Sequence, residues 1–365
     1  MKEIKTDILV IGGGPAGLSA AAEASSMGAH VMIAESGLRL GGQLVKQTHK
    51  FFGSKDEYAG TRGYRIADIL LGEIDRAGEG VSVLTNTTVT GYYPEDHAFI
   101  AMKGEESCFR ITAKKTVVAT GAQERIIPFP NNDLPGVYGA GAVQTLMNVY
   151  GVTPGRRVLM VGAGNIGLIV SYQLLQSGVE VAAVLEAAPM IGGYWVHAAK
   201  IRRLGTPILL RHSIKEATGG TVVDGAVIVE LDDNFSPTNA ERRIECDVIC
   251  LAVGLSPTTE ILFQAGCEMR YIPQLCGHVP ERDRAMRTSN PDFWAAGDAS
   301  GIEEASAAMV EGRIAGFCAA HSLGLPVDMK RLDEYWARLD SLRAGEAGTK
   351  IRSGIGRVLR ESWED

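Results

Sequence analysis

The chain has 365 residues, 45% of them hydrophobic and 22% charged. That is enough apolar content for two or three buried cores at roughly 150 residues per domain, and it excludes a mostly disordered chain. Net charge is −7 with lysines and arginines scattered, so no basic surface for nucleic acid is expected. In chain order, Met1–Thr6 is charged and leads straight into a strand, unlike a secretory signal, and a cytoplasmic location is expected. The most apolar stretch, residues 8–29, carries Pro15, Glu23 and five glycines, which speaks against a membrane span.

Asp7–Ile11 is a continuous apolar run of the kind buried on both faces of a parallel sheet. It breaks at Gly12-Gly13-Gly14-Pro15-Ala16-Gly17, enters a small-residue helix from Leu18 to Met27, stops at Gly28, and resumes as a strand over Val31–Ala34 ending at Glu35. The same order recurs: strand Arg157–Val161, turn Gly162-Ala163-Gly164-Asn165-Ile166-Gly167, helix Leu168–Gln176, stop at Gly178, and strand Val179–Leu185 ending at Glu186. Each half continues into alternating residues expected to form a short antiparallel meander, over Val81–Ile111 and Ile208–Leu231. These close with Thr116–Gly121 and Asp247–Gly254. The reading is an α/β protein of two Rossmann-like domains, each with a parallel sheet plus a small antiparallel β-meander. Thr288–Asp298 then reads as a short strand ending in an acid, followed by a small-residue helix over about Glu303–Leu323. Without a counterpart in the second half, this segment is expected to complete the first domain. The expected boundaries are 1–122 plus 267–330 for the first domain and 123–266 for the second. A C-terminal helical tail over 331–365 carries Tyr335, Trp336, Leu339 and Leu342 at helical spacing and is read as packing on its own domain or docking a further protein chain.

A Gly-x-Gly-x-x-Gly turn between strand and helix, with an acid about 20 residues on, is a dinucleotide fingerprint. Gly12 permits the tight turn, Gly14 lets the backbone approach a pyrophosphate, and Gly17 lets helix and strand pack closely. The helix N-terminus offers free N–H groups to the phosphates, and Glu35 can accept both ribose hydroxyls. Gly162, Gly164, Gly167 and Glu186 repeat the pattern, and the carboxylate of Glu186, followed by uncharged Ala187–Met190, favours NAD over NADP. Gly297-Asp298 marks the first site as a flavin site: the aspartate suits a ribityl hydroxyl, and the following helix aims its positive end at the pyrimidine edge, where negative charge develops on reduction.

These motifs identify a family. To about Leu325 the chain resembles the two-dinucleotide-domain flavoproteins that include thioredoxin reductase and the pyridine nucleotide-disulphide oxidoreductases. Gly41-Gly42-Gln43-Leu44 looks like their flavin-contacting segment, Ala119-Thr120-Gly121 like their Ala-Thr-Gly motif, and Thr288–Asp298 like their late Gly-Asp motif. Between Val117 and Gly155, the segments Ala119–Arg125, Pro128-Phe129-Pro130, Leu134–Val137 and Tyr150–Gly155 resemble another branch more closely. That branch comprises the α subunits of heteromeric sarcosine oxidases, dye-linked proline and hydroxyproline dehydrogenases, opine oxidases and the hydrogen cyanide synthase B subunit. Carried onto this sequence, the expected FAD contacts are Gly12, Gly14, Pro15, Ala16, Gly17, Glu35, Ser36, Gly42, Gln43, Leu44, Thr48, Val89, Ala119, Thr120, Gly121, Gly297, Asp298, Ser306 and Ala307. The second-site set is Gly162, Gly164, Asn165, Ile166, Gly167, Glu186 and Gly254.

The departures matter as much. Disulphide reduction needs two thiols beside the flavin, yet no cysteine precedes Cys108 and the six cysteines contain no CxxC pair. Cys246 and Cys250 read as packing, and the segment after Cys318 has no cysteine for an iron–sulfur cluster. His49, in the segment Lys46–Phe52, and His197 are candidates for protonating substrate or flavin and for lining a nicotinamide, each against a plainly structural reading. No metal set or catalytic side chain is assigned, because the hard chemistry belongs to the cofactor. The resemblance implies an FAD-dependent oxidoreductase, the electron-transferring α-like subunit of a multi-subunit amine or imino-acid dehydrogenase or oxidase. Its expected partners are a small iron–sulfur protein and a flavin-containing β subunit, in an oligomer that acts on a small molecule. NAD or another adenine nucleotide would fill the second site. The rival readings are a self-sufficient NADH-dependent reductase of a small acceptor, ferredoxin or quinone, and a non-catalytic nucleotide-binding scaffold.

Overall fold

The computed structural model describes residues 2–51, 54–105, 107–326, 328–346 and 348–363, so Phe52 and the last two residues of the tail lie outside the described residues. The chain divides into two compact units, residues 1–123 with 256–365, and residues 124–255.

The first unit opens with β1 (Lys2–Ile11), α1 (Pro15–Ser26), β2 (Val31–Ala34), α2 (Gly63–Ala77), β3 (Val81–Leu84), β4 (Thr87–Tyr93), β5 (Ala98–Lys103) and β6 (Ser107–Val118). They form one sheet in the order β3-β2-β1-β6-β5-β4. Along β1, Ile8 and Val10 join the cluster of Leu18, Ile33, Leu70 and Val117, while Leu9 and Ile11 join Phe99, Ile111 and Val118 on the other face. A strand covered on both faces must be apolar at every position, which is why Ile8–Ile11 shows no alternation, while Asp7 at the edge of the run pairs with Lys114. One expectation from the sequence fails here, and one element goes beyond it. β3 pairs parallel with β2 and belongs to the parallel sheet, so the antiparallel meander is β4-β5-β6 alone. α2 was not anticipated; it buries Ile66, Ala67, Leu70 and Ile74, a single helical face.

The chain leaves through β7 (Ala122–Glu124) and builds the second unit from β8 (Val137–Gly139), α3 (Ala140–Tyr150), β9 (Arg157–Val161), α4 (Asn165–Gln176), β10 (Glu180–Glu186), α5 (Trp195–Arg203), β11 (Ile208–Leu210), β12 (His212–Thr218), β13 (Gly225–Leu231), β14 (Pro237–Glu245) and β15 (Val248–Leu251). The parallel sheet has the order β11-β10-β9-β15-β8, and β12-β13-β14 form the meander. Val158 and Met160 face one cluster, Leu159 and Val161 the other, repeating the two-sided burial of β1.

On its return the chain forms β16 (Leu255–Pro257), which pairs with β7, then α6 (Glu260–Gln264), β17 (Met269–Ile272), β18 (Gly277–Pro280), β19 (Phe293–Ala295), α7 (Ala305–His321), α8 (Met329–Leu342) and α9 (Thr349–Ile355). The return begins about ten residues earlier than the expected 267. The reason is α6, whose Ile261 and Leu262 pack with Phe99 and Ile111, while Gln264 Oε1 accepts the Tyr92 N–H. β19 pairs parallel with β6 and so completes the first unit. It does have a second-unit counterpart, contrary to the sequence reading: β8 pairs with β15 as β19 pairs with β6. In each unit the strand feeds a helix, α3 or α7, that packs on the fingerprint helix, α4 or α1. In the second unit the strand–helix pair precedes the glycine turn in sequence, which hid the equivalence. The tail packs on the first unit, burying Tyr335 and Leu339 of α8 and Val358 beyond α9.

Candidate functional site

At the end of β1 the chain turns through Gly12 at a φ of 104°. A side chain there would overlap the Ala119 carbonyl, and one at Gly17 would overlap the carbonyl of Gly12. Both are glycine because the turn presses against β6 and α1 packs against its own turn. Gly14 caps α1 without a side-chain hydrogen bond, and a Cβ on it would meet nothing nearer than Gly42 Cα at 3.9 Å. The helix end, with its free N–H groups and partial positive charge, is therefore open to an anion. Glu35 braces the turn: Oε2 accepts the Gly13 N–H (2.7 Å) and Oε1 the Gly37 N–H (2.6 Å). Each carboxylate oxygen keeps lone-pair capacity for a further donor such as a sugar hydroxyl. Gly41 donates its N–H to Gly13 O (2.8 Å), and Gly42 lies so close that a Cβ would fall 2.7 Å from Gly14 Cα.

The late Gly-Asp pair arrives at this same place. Ala296 donates to Val118 O at 3.1 Å, and a Cβ on Gly297 would stand 2.9 Å from the Ala16 Cβ of α1. Asp298 Oδ1 accepts the Glu303 N–H (3.2 Å). Burial is the main reason its carboxyl is pushed up to about 6, with the nearby charges of Glu311 and Glu303 adding to it. α7 is held on α1 by two further glycines: side chains at Gly312 and Gly316 would overlap the carbonyls of Ala16 and Ala20. Ser306 and Ala307 are buried in the first turn of α7.

Other expected contacts fall differently. Leu44 is wholly buried in the core with Leu18 and Ile66, so its side chain is packing, while Gln43 beside it is exposed. Ser36 is exposed, and Val89 lies on β4 against the core face that holds Phe99. Thr120 Oγ1 donates to Thr258 O (2.5 Å), tying β6 to the returning chain, and Thr258 donates to Gly121 O (3.0 Å). The Thr48 carbonyl accepts from Arg62. His49 stacks on Phe51 with ring centroids 5.8 Å apart. His197 is buried on α5, and burial, with Lys200 nearby, lowers its pKa.

The second unit repeats the cradle in detail. Gly162 turns at a φ of 109° against the Ala252 carbonyl, and Gly167 against that of Gly162. Glu186 Oε2 accepts the Ala163 N–H (2.9 Å) and Oε1 the Ala188 N–H (3.0 Å), the bracing seen at Glu35. A second Gly-Gly pair, Gly192–Gly193, closes on the turn: Gly193 donates to Ala163 O (3.0 Å) and Tyr194 to Asn165 Oδ1 (2.8 Å). The space around Gly164 is open, Ile166 sits half-exposed on the first turn of α4, and Gly254 O accepts the Arg125 N–H. One difference is chemical. The N-terminus of α3, the counterpart of α7, is occupied by the Glu124 carboxylate, which accepts the Gly141 N–H at 2.6 Å. That helix end offers no positive charge to a reduced flavin. Sequence reading missed both Glu124 and Arg211. The latter donates its N–H to Ala188 O beside Glu186, but its guanidinium is paired with Asp233 at 2.6 Å.

Two βαβ units, each with a glycine turn, a bracing glutamate and an open helix end, give the chain the dinucleotide-binding fold twice over, and known proteins share that fold. The profile of the pyridine nucleotide-disulphide oxidoreductases matches residues 6–312, and the chain belongs to that family, an FAD-dependent oxidoreductase class that binds FAD and pyridine nucleotide in general. It is 30% identical over 336 residues to an opine oxidase chain of Agrobacterium tumefaciens, covering 87% of this chain and 66% of that protein. It is 29% identical over 343 residues to the alpha chain of sarcosine oxidase from a Corynebacterium species, covering 88% and 33%. The chain thus spans from a third to just under two thirds of the length of these relatives. The L-proline dehydrogenase structure from P. horikoshii shares the fold with a TM-score of 0.73 at 23% identity, over 93% of this chain and 59% of that one. Among the described residues no helix is long and apolar enough to cross a membrane.

Proposed function

We propose that the chain is the FAD-binding, electron-transferring α-like subunit of a multi-subunit amine or imino-acid dehydrogenase or oxidase of the sarcosine, proline or hydroxyproline type. One combination carries this reading: two complete nucleotide cradles and no dithiol beside either. No cysteine precedes Cys108. Cys246 and Cys250 are buried, which pushes the Cys246 thiol up to about 12 and the Cys250 thiol higher still, so neither supplies a thiolate. Electrons reaching the flavin must therefore leave for another protein or a small acceptor. The opine oxidase and sarcosine oxidase relatives are subunits by name, which supports a protein partner. We assign that role to a flavin-containing β subunit that oxidises the C–N bond, with a small iron–sulfur protein as a second carrier.

FAD, when bound, takes up and releases the electrons. The chain's residues hold it: the open end of α1 takes the pyrophosphate, Glu35 the ribose hydroxyls, Asp298 a ribityl hydroxyl, and the N-terminus of α7 the pyrimidine edge. In the second cradle the carboxylate of Glu186 disfavours a 2′-phosphate and the end of α3 is taken, so the ligand proposed there is NAD, or an adenine nucleotide held without turnover, and not a second flavin. The completeness of this cradle also favours a second reading, an NADH-dependent flavin reductase that needs no partner.

Isolation from the native host, followed by identification of attached chains and bound nucleotides and by anaerobic mixing with NADH, tests both. The subunit reading expects one FAD per chain, a co-purifying flavoprotein, and little bleaching of the flavin by NADH until the partner's substrate is present. Rapid bleaching of the isolated chain by NADH gives the second reading instead. A protein that stays colourless after FAD is added sinks both.

A further inference from the structure

We infer that Arg343, carried in by the C-terminal tail, is a positioning residue for the flavin: with Arg282 it holds the carboxylates of Glu303 and Glu311 against the Gly297–Ser300 turn and sets the charge behind Asp298. The inference rests on the reading that this turn meets the flavin. Glu311 projects inward from α7 and is 3% exposed. Its Oε2 accepts the Gly297 N–H (2.9 Å) and the Ser300 hydroxyl (3.1 Å), so it fixes the backbone of the turn directly. Its Oε1 accepts from Arg282 Nη2 (2.7 Å) and Arg343 Nη2 (2.5 Å). Arg343 also donates from Nε and Nη2 to Glu303 (3.1 and 2.7 Å), the residue whose backbone N–H meets Asp298.

The tail holds Arg343 from its other side. It follows α8, where Leu339 is fully buried and the Tyr335 hydroxyl donates to Glu23 Oε2 of α1 at 2.7 Å. Its carbonyl accepts from Arg352 of α9, and Gly348 abuts that carbonyl closely. Burial pushes the Glu311 carboxyl up, but the two guanidinium groups outweigh it and hold it down at about 2.

A clasp that only joined the tail to α7 needs no buried charges, since apolar residues of the same shape commonly serve as well. These five charged groups act on the turn's electrostatics. At pH 8, where Asp298 is ionised, Asp298, Glu303 and Glu311 against Arg282 and Arg343 leave one net negative charge. Loss of Arg343 makes it two, and loss of the Glu303 charge makes it zero. A flavin gains negative charge on reduction, so the two changes move its potential in opposite directions through a poorly screened region. A purely mechanical role moves it one way or not at all.

The test is FAD titration of the apo full chain, with anaerobic determination of the flavin midpoint potential, for wild type, Arg343→Met, Arg343→Lys and Glu303→Gln. Arg343→Met is expected to bind FAD at least tenfold more weakly and to favour oxidised over reduced flavin by about tenfold, roughly 30 mV more negative for a two-electron couple. Arg343→Lys should stay within threefold of wild type, and Glu303→Gln should shift positive. If Arg343→Met does not fold, the other two variants still decide: Glu303→Gln must shift positive while Arg343→Lys holds. Wild-type values in Arg343→Met, a negative or absent shift in Glu303→Gln, or a shift of the same sign in Arg343→Met and Glu303→Gln would overturn the role of Arg343. A wild-type chain that takes up no flavin overturns the reading of the first site itself.

Discussion

Asp298 carries a cost the rest of the turn must offset. Its carboxyl sits at about 6 in the folded chain against 3.8 for the free side chain, mainly because it is buried. The folded chain without ligand therefore keeps that proton longer than the unfolded chain does. The stabilisation this gives is full below pH 3.8 and is lost as pH rises through 6. Glu311 works the other way, contributing above its ordinary 4.5 and losing that contribution only as pH falls toward 2, so between pH 5 and 8 it stays nearly constant. Asp298→Asn removes the buried charge. It is expected to raise the stability of the ligand-free chain by about 1–2 kcal/mol more at pH 8 than at pH 5, while weakening FAD binding because one of the two acceptor oxygens becomes an NH2 donor and the remaining acceptor is uncharged. Urea unfolding at the two pH values checks this, and an equal effect at both would show that Asp298 is not desolvated as described. A residue destabilising alone and useful with ligand is what a binding site built on strain and burial contains.

Helices α1 and α7 show how the site is held at the level of elements. Gly312 and Gly316 lie on the Ala16 and Ala20 carbonyls with no room for a Cβ, whereas Gly72 of α2 meets only the end of the flexible Arg76 side chain at 3.6 Å. Helix propensity alone favours alanine at all three positions, so packing decides the sign. Gly312→Ala is expected to cost about 1–3 kcal/mol and to lower flavin content, because α7 carries Glu311. Gly72→Ala is expected to gain about 0.5–1 kcal/mol. Thermal unfolding with flavin quantitation separates them, and a stabilised Gly312→Ala would refute the close packing. The same elements show what was legible in the sequence. The runs in β1 and β9 were readable because two-sided burial forbids polar residues. β14 was missed because it is almost wholly exposed, so its sequence shows no apolar alternation. β3 was misplaced because a half-exposed parallel edge strand has the same texture as a meander strand. The helical face of α2, with Ile66, Leu70 and Ile74, was there to be read.

Across the whole chain, the strand orders β3-β2-β1-β6 and β11-β10-β9-β15 set Glu35 and Glu186 against their turns in the same way, so the two cradles could be read from local spacing. What could not be read that way joins distant residues. Gly297 meets Ala16 across 281 positions, and what placed the late segment in the first domain was its lack of an evident counterpart in the second half, not any local spacing; Arg343 with Glu303 and Glu311, and Arg211 beside Ala188, leave no local pattern at all. The duplicated turns permit a test of division of labour, since the same substitution can be made in each. Valine at position 17 overlaps the Gly12 carbonyl, and valine at 167 overlaps that of Gly162, so each closes one cradle and leaves the other untouched in sequence. Gly17→Val should yield a chain with little bound flavin. Gly167→Val should keep one FAD per chain, normally reducible by dithionite, and lose at least tenfold in affinity for NADH measured by equilibrium binding. Because each unit has its own core, a loss of flavin from Gly167→Val cannot be ascribed to the first turn. Such a loss would mean that the two cradles do not bind independently and that the assignment of one nucleotide to each is wrong.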